Sequence, residues 1–171
     1  CPWTPEQARH MTLKLRPYDL FWLEEPIFPP EDFSAIAKLR AGTGVAMAAG
    51  ENLCTSFQFR DMFAAGAVDY AQPSVTKVGG VTEFLKVAAL CDAAGVTLMP
   101  HSPYFGPGFL ATLHLLAARG TPGGMIERYH MDLEASLFGD LIMPKGGRFV
   151  VPTGPGLGCD PDPDVIKTYG A

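Results

Sequence analysis

Five short apolar stretches in this chain each run into a polar residue, and those polar residues recur at a nearly constant interval. Residues 19–23 lead to Glu24, 45–49 to Gly50-Glu51, 68–71 to Gln72-Pro73-Ser74, 96–99 to Pro100-His101, and 125–126 to Glu127. The separations from Glu24 through Glu127 are 27, 23, 27 and 26 residues. That is the length of one strand, one helix and two connections. The stretches are mostly apolar rather than alternating, as expected of strands buried on both faces of a parallel sheet. Polar residues at the C-terminal ends of successive parallel strands converge on one face of a (β/α) barrel, where such barrels build their sites.

The segments between the strands read as helices. Thr4 can cap a helix over 4–15, with Pro5 in its first turn and Gln7 three residues on. Further helices are expected over 31–39, stopped by Gly42 and Gly44, then 56–65, 81–94 and 109–118. The fold class is therefore α/β, with five of eight barrel strands present. A closed barrel takes about 250 residues, so 171 residues are expected to be its C-terminal part. Residues 1–128 form the partial barrel. Residues 129–171, rich in Gly, Pro and Asp with a hairpin-like piece at 146–151, are expected to be an irregular tail packed on the barrel or another domain.

Composition excludes several function classes. A net charge of −5 lacks the basic footprint of nucleic-acid binding. No apolar run is long enough to span a membrane, which takes about 18–20 residues. Cys1, Cys54, Cys91 and Cys159 are scattered, with neither zinc spacing nor a disulfide framework, which suggests a reducing, cytoplasmic setting. The start lacks Met and any signal-peptide pattern, so an upstream segment is expected. P-loop, nucleophile-elbow and His-Glu-x-x-His motifs are absent. Gly79-Gly80 could meet an anion at a helix start, but without the dinucleotide fingerprint.

The strand-end residues suggest their chemistry. Glu24 or Glu25, together with Glu51, offers carboxylates to a hard cation such as Mg²⁺. Alone, a Glu-Glu-Pro is more often a surface loop; its repetition one unit later favours a shared site. His101, stiffened by Pro100 and Pro103, is placed to act as a base near neutral pH. Ser74, after Gln-Pro, reads first as a turn residue, and Glu127 could simply pair with Arg128. His114 falls mid-helix and reads as structural; His10 and His130 carry no case.

Trp22-Leu-Glu-Glu-Pro26, Gly50-Glu51-Asn52, Lys77-Val-Gly-Gly80, His101 and Ile126-Glu127-Arg128 resemble, in order and interval, the mandelate racemase and muconate lactonizing group of the enolase superfamily. The resemblance covers residues 1–158, including Pro155-Gly-Leu-Gly158. It implies a (β/α)₇β barrel with a capping domain, the first strands and the cap lying outside this chain. It implies Glu24 and Glu51 as metal ligands, with a third, an Asp in an Asp-x-Asn motif, just before Cys1. The family's Lys-x-Lys bases would lie further upstream. His101 matches the family's seventh-strand base and Glu127 its last-strand hydrogen-bond donor to the substrate. Ser74 departs from the pattern: it stands where racemase-like members carry an Asp that partners the His. Ser74 and Tyr104 are expected on the substrate side, Phe105 beside them, with loop packing as the alternative for the aromatics. Lys77 is expected, by strand alternation, to point away from Ser74.

The resemblance implies an enzyme that uses Mg²⁺ to abstract the α-proton of a small-molecule carboxylate through an enediolate, first as a dehydratase of an acid sugar. Racemase, epimerase and sugar-lactone cycloisomerase are the same chemistry with other outcomes. A non-catalytic relative, or a fragment inactive by itself, is the reading from another class. A symmetric homo-oligomer is implied as well.

Overall fold

The computed structural model describes residues 2–120 and 123–170. The chain divides into two compact units, Cys1–His101 and Ser102–Ala171.

In the first unit, β1 (Leu23–Glu24), β2 (Met47–Ala49), β3 (Tyr70–Ala71) and β4 (Thr97–Leu98) form one parallel sheet in the order β1-β2-β3-β4. Glu24 pairs with Ala48, Ala49 with Ala71, and Ala71 with Leu98. Sequential order with a helix in every crossover is the βα repeat inferred from the spacing. The helices are α1 (Pro5–Leu15), α2 (Phe33–Thr43), α3 (Ser56–Ala64) and α4 (Val81–Ala94). Outside the named strands, Trp3 bridges Ile27 in parallel.

Local chemistry sets the helix ends. Thr4 and Gln7 close a capping box on α1, and Thr55 and Gln58 close another on α3. The helix expected to stop near 39 runs to Thr43 because Gly42 keeps helical geometry. Gly44, at φ 68°, makes the left-handed cap instead, its N–H donating to the Arg40 carbonyl. Met47, Ala48, Phe59, Met62, Phe84, Val87 and Leu98, from strands and helices of this unit, are all buried. Each large apolar side chain so buried contributes about 1.5–3 kcal/mol. Cys91 packs in the same way, and burial pushes its thiol up to about 12, so it behaves as a small apolar residue.

The strands are shorter than expected. In place of a strand starting at residue 19, a 3-10 turn (Arg16–Tyr18) ends at Asp19 with φ 52°. Only Leu23 and Glu24 reach the ladder.

In the second unit, α5 (Pro107–Arg119) buries Phe109, Leu110 and Leu113 against Phe138 and Ile142 of the tail. Phe149 stacks edge-on upon Phe109, with ring centroids 5.0 Å apart. Residues 145–148 make a single antiparallel bridge. The tail is not wholly irregular: α6 (Pro163–Tyr169) is capped by Asp162, whose side chain accepts from the Asp164 and Val165 N–H groups. Among the described residues, 125–126 form no strand, which corrects the expected fifth one. Nearby, the Ser102 N–H donates to Glu127 Oε1 and the Ser102 hydroxyl to the Glu127 carbonyl. No helix among the described residues is long and apolar enough to cross a membrane.

Candidate active site

The two glutamates after β1 divide their work. Glu24 is exposed, and its Oε2 accepts from Trp22 Nε1 at 3.1 Å. Glu25 is buried, with φ 35°, a conformation unusual for a residue with a side chain. Its carboxylate reaches the next strand's loop and accepts from the Gly50 N–H (3.2 Å) and Asn52 Nδ2 (3.4 Å). The sequence left Glu24 and Glu25 as alternatives at this point; here Glu25 braces the loop and Glu24 remains open.

Glu51 follows β2, partly exposed. Its Oε1 accepts from Asn52 Nδ2 at 3.2 Å. Its Oε2 lies 3.1 Å from His101 Nδ1. The imidazole is only 13% exposed, and the contact is close without being a linear hydrogen bond. Glu51 and His101 sit at the ends of β2 and β4 and are brought together, as the spacing requires. Asn52 Oδ1 in turn accepts from Lys77 Nζ at 3.2 Å.

Ser74, expected on the substrate side, is fully buried, with its hydroxyl 3.0 Å from Thr76 Oγ1. Its side chain has no exposed surface. Residues 75–79 form a turn, so strand alternation does not govern the direction of Lys77. In the second unit, Glu127 is partly buried and held by Ser102. Arg128 bonds to Asp132 and to the Tyr129 carbonyl. Tyr104 is half-buried and packs on the α5 cluster. His114 Nε2 contacts the Leu157 carbonyl at 3.0 Å, the structural role expected of it.

Sequence reasoning weighed Glu25 only as an alternative ligand to Glu24, and it missed the contacts of Asn52, Lys77 and Ser102. A signal was present for two: Asn52 adjoins Glu51, and Ser102 adjoins His101. Nothing in the spacing points to Lys77.

Glu24 and Glu51 are both accessible, and both present hard carboxylate oxygens. That donor set fits Mg²⁺, which takes one or two carboxylates and completes its shell with water and substrate. Among the described residues no group of three His, Cys, Asp or Glu converges.

The model of the enolase C-terminal domain-like family matches residues 1–165. This chain belongs to that family. Its parallel sheet and intervening helices are the C-terminal part of a TIM-like barrel of the mandelate racemase and muconate lactonizing type. This enolase-family chain is 32% identical over 167 residues to a D-galactonate dehydratase of Ralstonia pickettii, covering 93% of this chain and 43% of that protein. It is 30% identical over 162 residues to a D-galactarolactone cycloisomerase of Agrobacterium fabrum, covering 89% of this chain and 42% of that one. The crystal structure of an L-talarate dehydratase from Polaromonas sp. JS666, complexed with Mg and L-glucarate, superposes with a TM-score of 0.73 at 29% identity, over 98% of this chain and 44% of that one. The chain spans less than half the length of these relatives.

Proposed function

We propose that the protein containing this enolase-family chain is a Mg²⁺-dependent dehydratase of an acid sugar. The observation that carries the reading is the meeting of His101 with Glu51 past the ends of β4 and β2, with the exposed carboxylate of Glu24 at the end of β1. Dehydratases of acid sugars among its relatives support the substrate class.

Glu24 and Glu51 are the groups that would hold Mg²⁺. When bound, the ion offsets the negative charge that develops on the substrate carboxylate as its α-proton leaves. The chain's own residues supply the proton chemistry. His101, whose imidazole lies beside Glu51, takes the α-proton as the base. The electron pair of that C–H bond forms the enediolate. Its collapse expels the β-hydroxyl, which leaves as water with the proton His101 has just gained. Glu127, steadied by the Ser102 N–H, is the candidate donor to a substrate oxygen. Ser74 and Tyr104 are given supporting roles.

The test uses the full-length protein with a panel of aldonic and aldaric acids in D₂O. Mg²⁺-dependent deuterium uptake at the α-carbon and release of a 2-keto-3-deoxy acid are expected. His101→Ala lowers the rate by about 10²–10⁴-fold, the usual contribution of a positioned base. Absence of Mg²⁺-dependent exchange with every acid refutes the reading. The cycloisomerase relative favours a second outcome of the same proton abstraction. A ring-opened or ring-closed lactone product, without loss of water, identifies it.

A further inference from the structure

Glu51 sits in a turn that is held on both sides. The Leu53 N–H donates to the Gly50 carbonyl at 3.1 Å, closing the turn around Glu51 and Asn52, and Leu53 itself is buried. From the neighbouring strand end the buried Glu25 reaches over. One of its oxygens accepts from the Gly50 N–H at 3.2 Å and the other from Asn52 Nδ2 at 3.4 Å. Gly50 and Asn52 are the residues before and after Glu51. The same Nδ2 donates to Glu51 Oε1 at 3.2 Å, so one carboxamide joins the two carboxylates. Lys77 Nζ donates to Asn52 Oδ1 at 3.2 Å and fixes the sense of that amide. Turned over, the amide would set its oxygen against two carboxylates and its nitrogen against an ammonium.

The grip is kept against a backbone cost. Glu25 has φ 35°, and Gly50, which it holds, has φ 124°. Strained residues of this kind persist only where the surrounding contacts over-determine them, and they gather where a site needs fixed geometry. We infer that Glu25 and Asn52 are positioning residues for Glu51, setting its carboxylate in place before Mg²⁺ binds, with Lys77 fixing the amide that joins them. The inference rests on the reading of Glu51 as a Mg²⁺ ligand. It gives the buried second glutamate of Glu-Glu-Pro a task other than coordination. Groups hydrogen-bonded to a metal-ligating carboxylate typically matter by about 10–100-fold in metal affinity.

The experiment titrates the full-length protein with Mg²⁺ alone in a calorimeter. Asn52→Ala changes no charge and is expected to raise the Mg²⁺ Kd by about 10–100-fold. Lys77→Met is expected to raise it as well, against the tightening that loss of a nearby positive charge brings by itself. Glu25→Gln is expected to raise it furthest, because a glutamine offers one acceptor oxygen to two donors and sets its own NH₂ against one of them. With a turned-over acid sugar, Asn52→Ala is expected to raise the Mg²⁺ concentration needed for half-maximal rate and to leave kcat at saturating Mg²⁺ near the wild-type value. Asn52 and Lys77 are exposed, so their variants decide the matter even where Glu25→Gln fails to fold. Wild-type Mg²⁺ affinity in Asn52→Ala overturns the inference, as does an unchanged or lowered Kd in Lys77→Met. A loss confined to Glu25→Gln assigns the effect to charge and overturns it too. A wild-type protein that binds no Mg²⁺ defeats the functional reading and the inference with it, whereas equal binding by the wild type and all three variants defeats the inference alone.

Discussion

The loop after β2 shows how little freedom a single residue has beside the candidate site. Gly50 stands at φ 124°, where side chains are rarely tolerated. A Cβ there would lie 2.7 Å from Phe59 Cε1, and Phe59 is fully buried in the core. Its N–H is also committed to Glu25. Gly50→Ala therefore has to strain the backbone and displace a packed ring. We expect a stability loss of about 1–3 kcal/mol from the backbone alone, read as a lower denaturation midpoint, with a further fall in turnover as Glu51 moves. A variant with wild-type midpoint and rate contradicts this. At this scale the sequence was partly legible. Gly-Glu-Asn marked Glu51, because the residue type and the interval both point to a ligand. It did not mark the contact of Lys77 with Asn52, which spans 25 residues of chain and depends on a turn at 75–79 that strand alternation cannot foresee.

Between elements, the strongest polar tie joins the end of α2 to the start of β3. Arg40 Nε donates to Asp69 Oδ2 at 2.8 Å, its Nη2 engages Oδ1, and its Nη1 reaches the Gly66 carbonyl. Asp69 Oδ2 also accepts from the Met47 N–H, so one carboxylate clamps α2, β2 and its own strand. The Arg40 hydrogen bonds, with help from the Met47 amide, hold the Asp69 carboxyl below its ordinary value of 3.8, against the opposing effect of burial. The folded state then binds this proton less readily than the unfolded state. The stabilisation is complete above the ordinary carboxylate value and is lost as pH falls through the lowered one. Asp69→Asn is expected to cost about 1 kcal/mol near neutrality, a modest figure because the pair is partly solvent-screened. The gap between wild type and variant closes as pH drops below about 4. Urea titrations at several pH values measure it; a gap that widens toward acid is the wrong sign and rejects the account. Helices were more legible than strands. Thr-x-x-Gln sets both capping boxes locally, whereas a strand ends where its neighbour stops pairing. So residue 19 was misplaced into β1, and 125–126 were taken for a strand where the described residues show none.

For the whole molecule, the repeat of strand-end residues was legible because closing a barrel forces periodicity on the chain, and the parallel order β1-β2-β3-β4 follows from it. The same order leaves this sheet open, with β1 and β4 at its edges, and barrels avoid exposed edges by closing. Beside β1 and β3, the rings of Phe21, Trp22 and Tyr70 cluster with centroids 5.2–5.4 Å apart. Phe21 is 62% exposed and Tyr18 76%. Aromatic surface next to open parallel edges favours association. We therefore expect the 171-residue chain, prepared alone, to self-associate, with a light-scattering mass that rises with concentration. Phe21→Ser should reduce that rise without changing the helical signal, since Phe21 lies outside every helix and is not among the buried core residues. A monomer mass independent of concentration, or an association indifferent to Phe21→Ser, shows that the aromatic edge is already satisfied within this chain and that the driving force lies elsewhere.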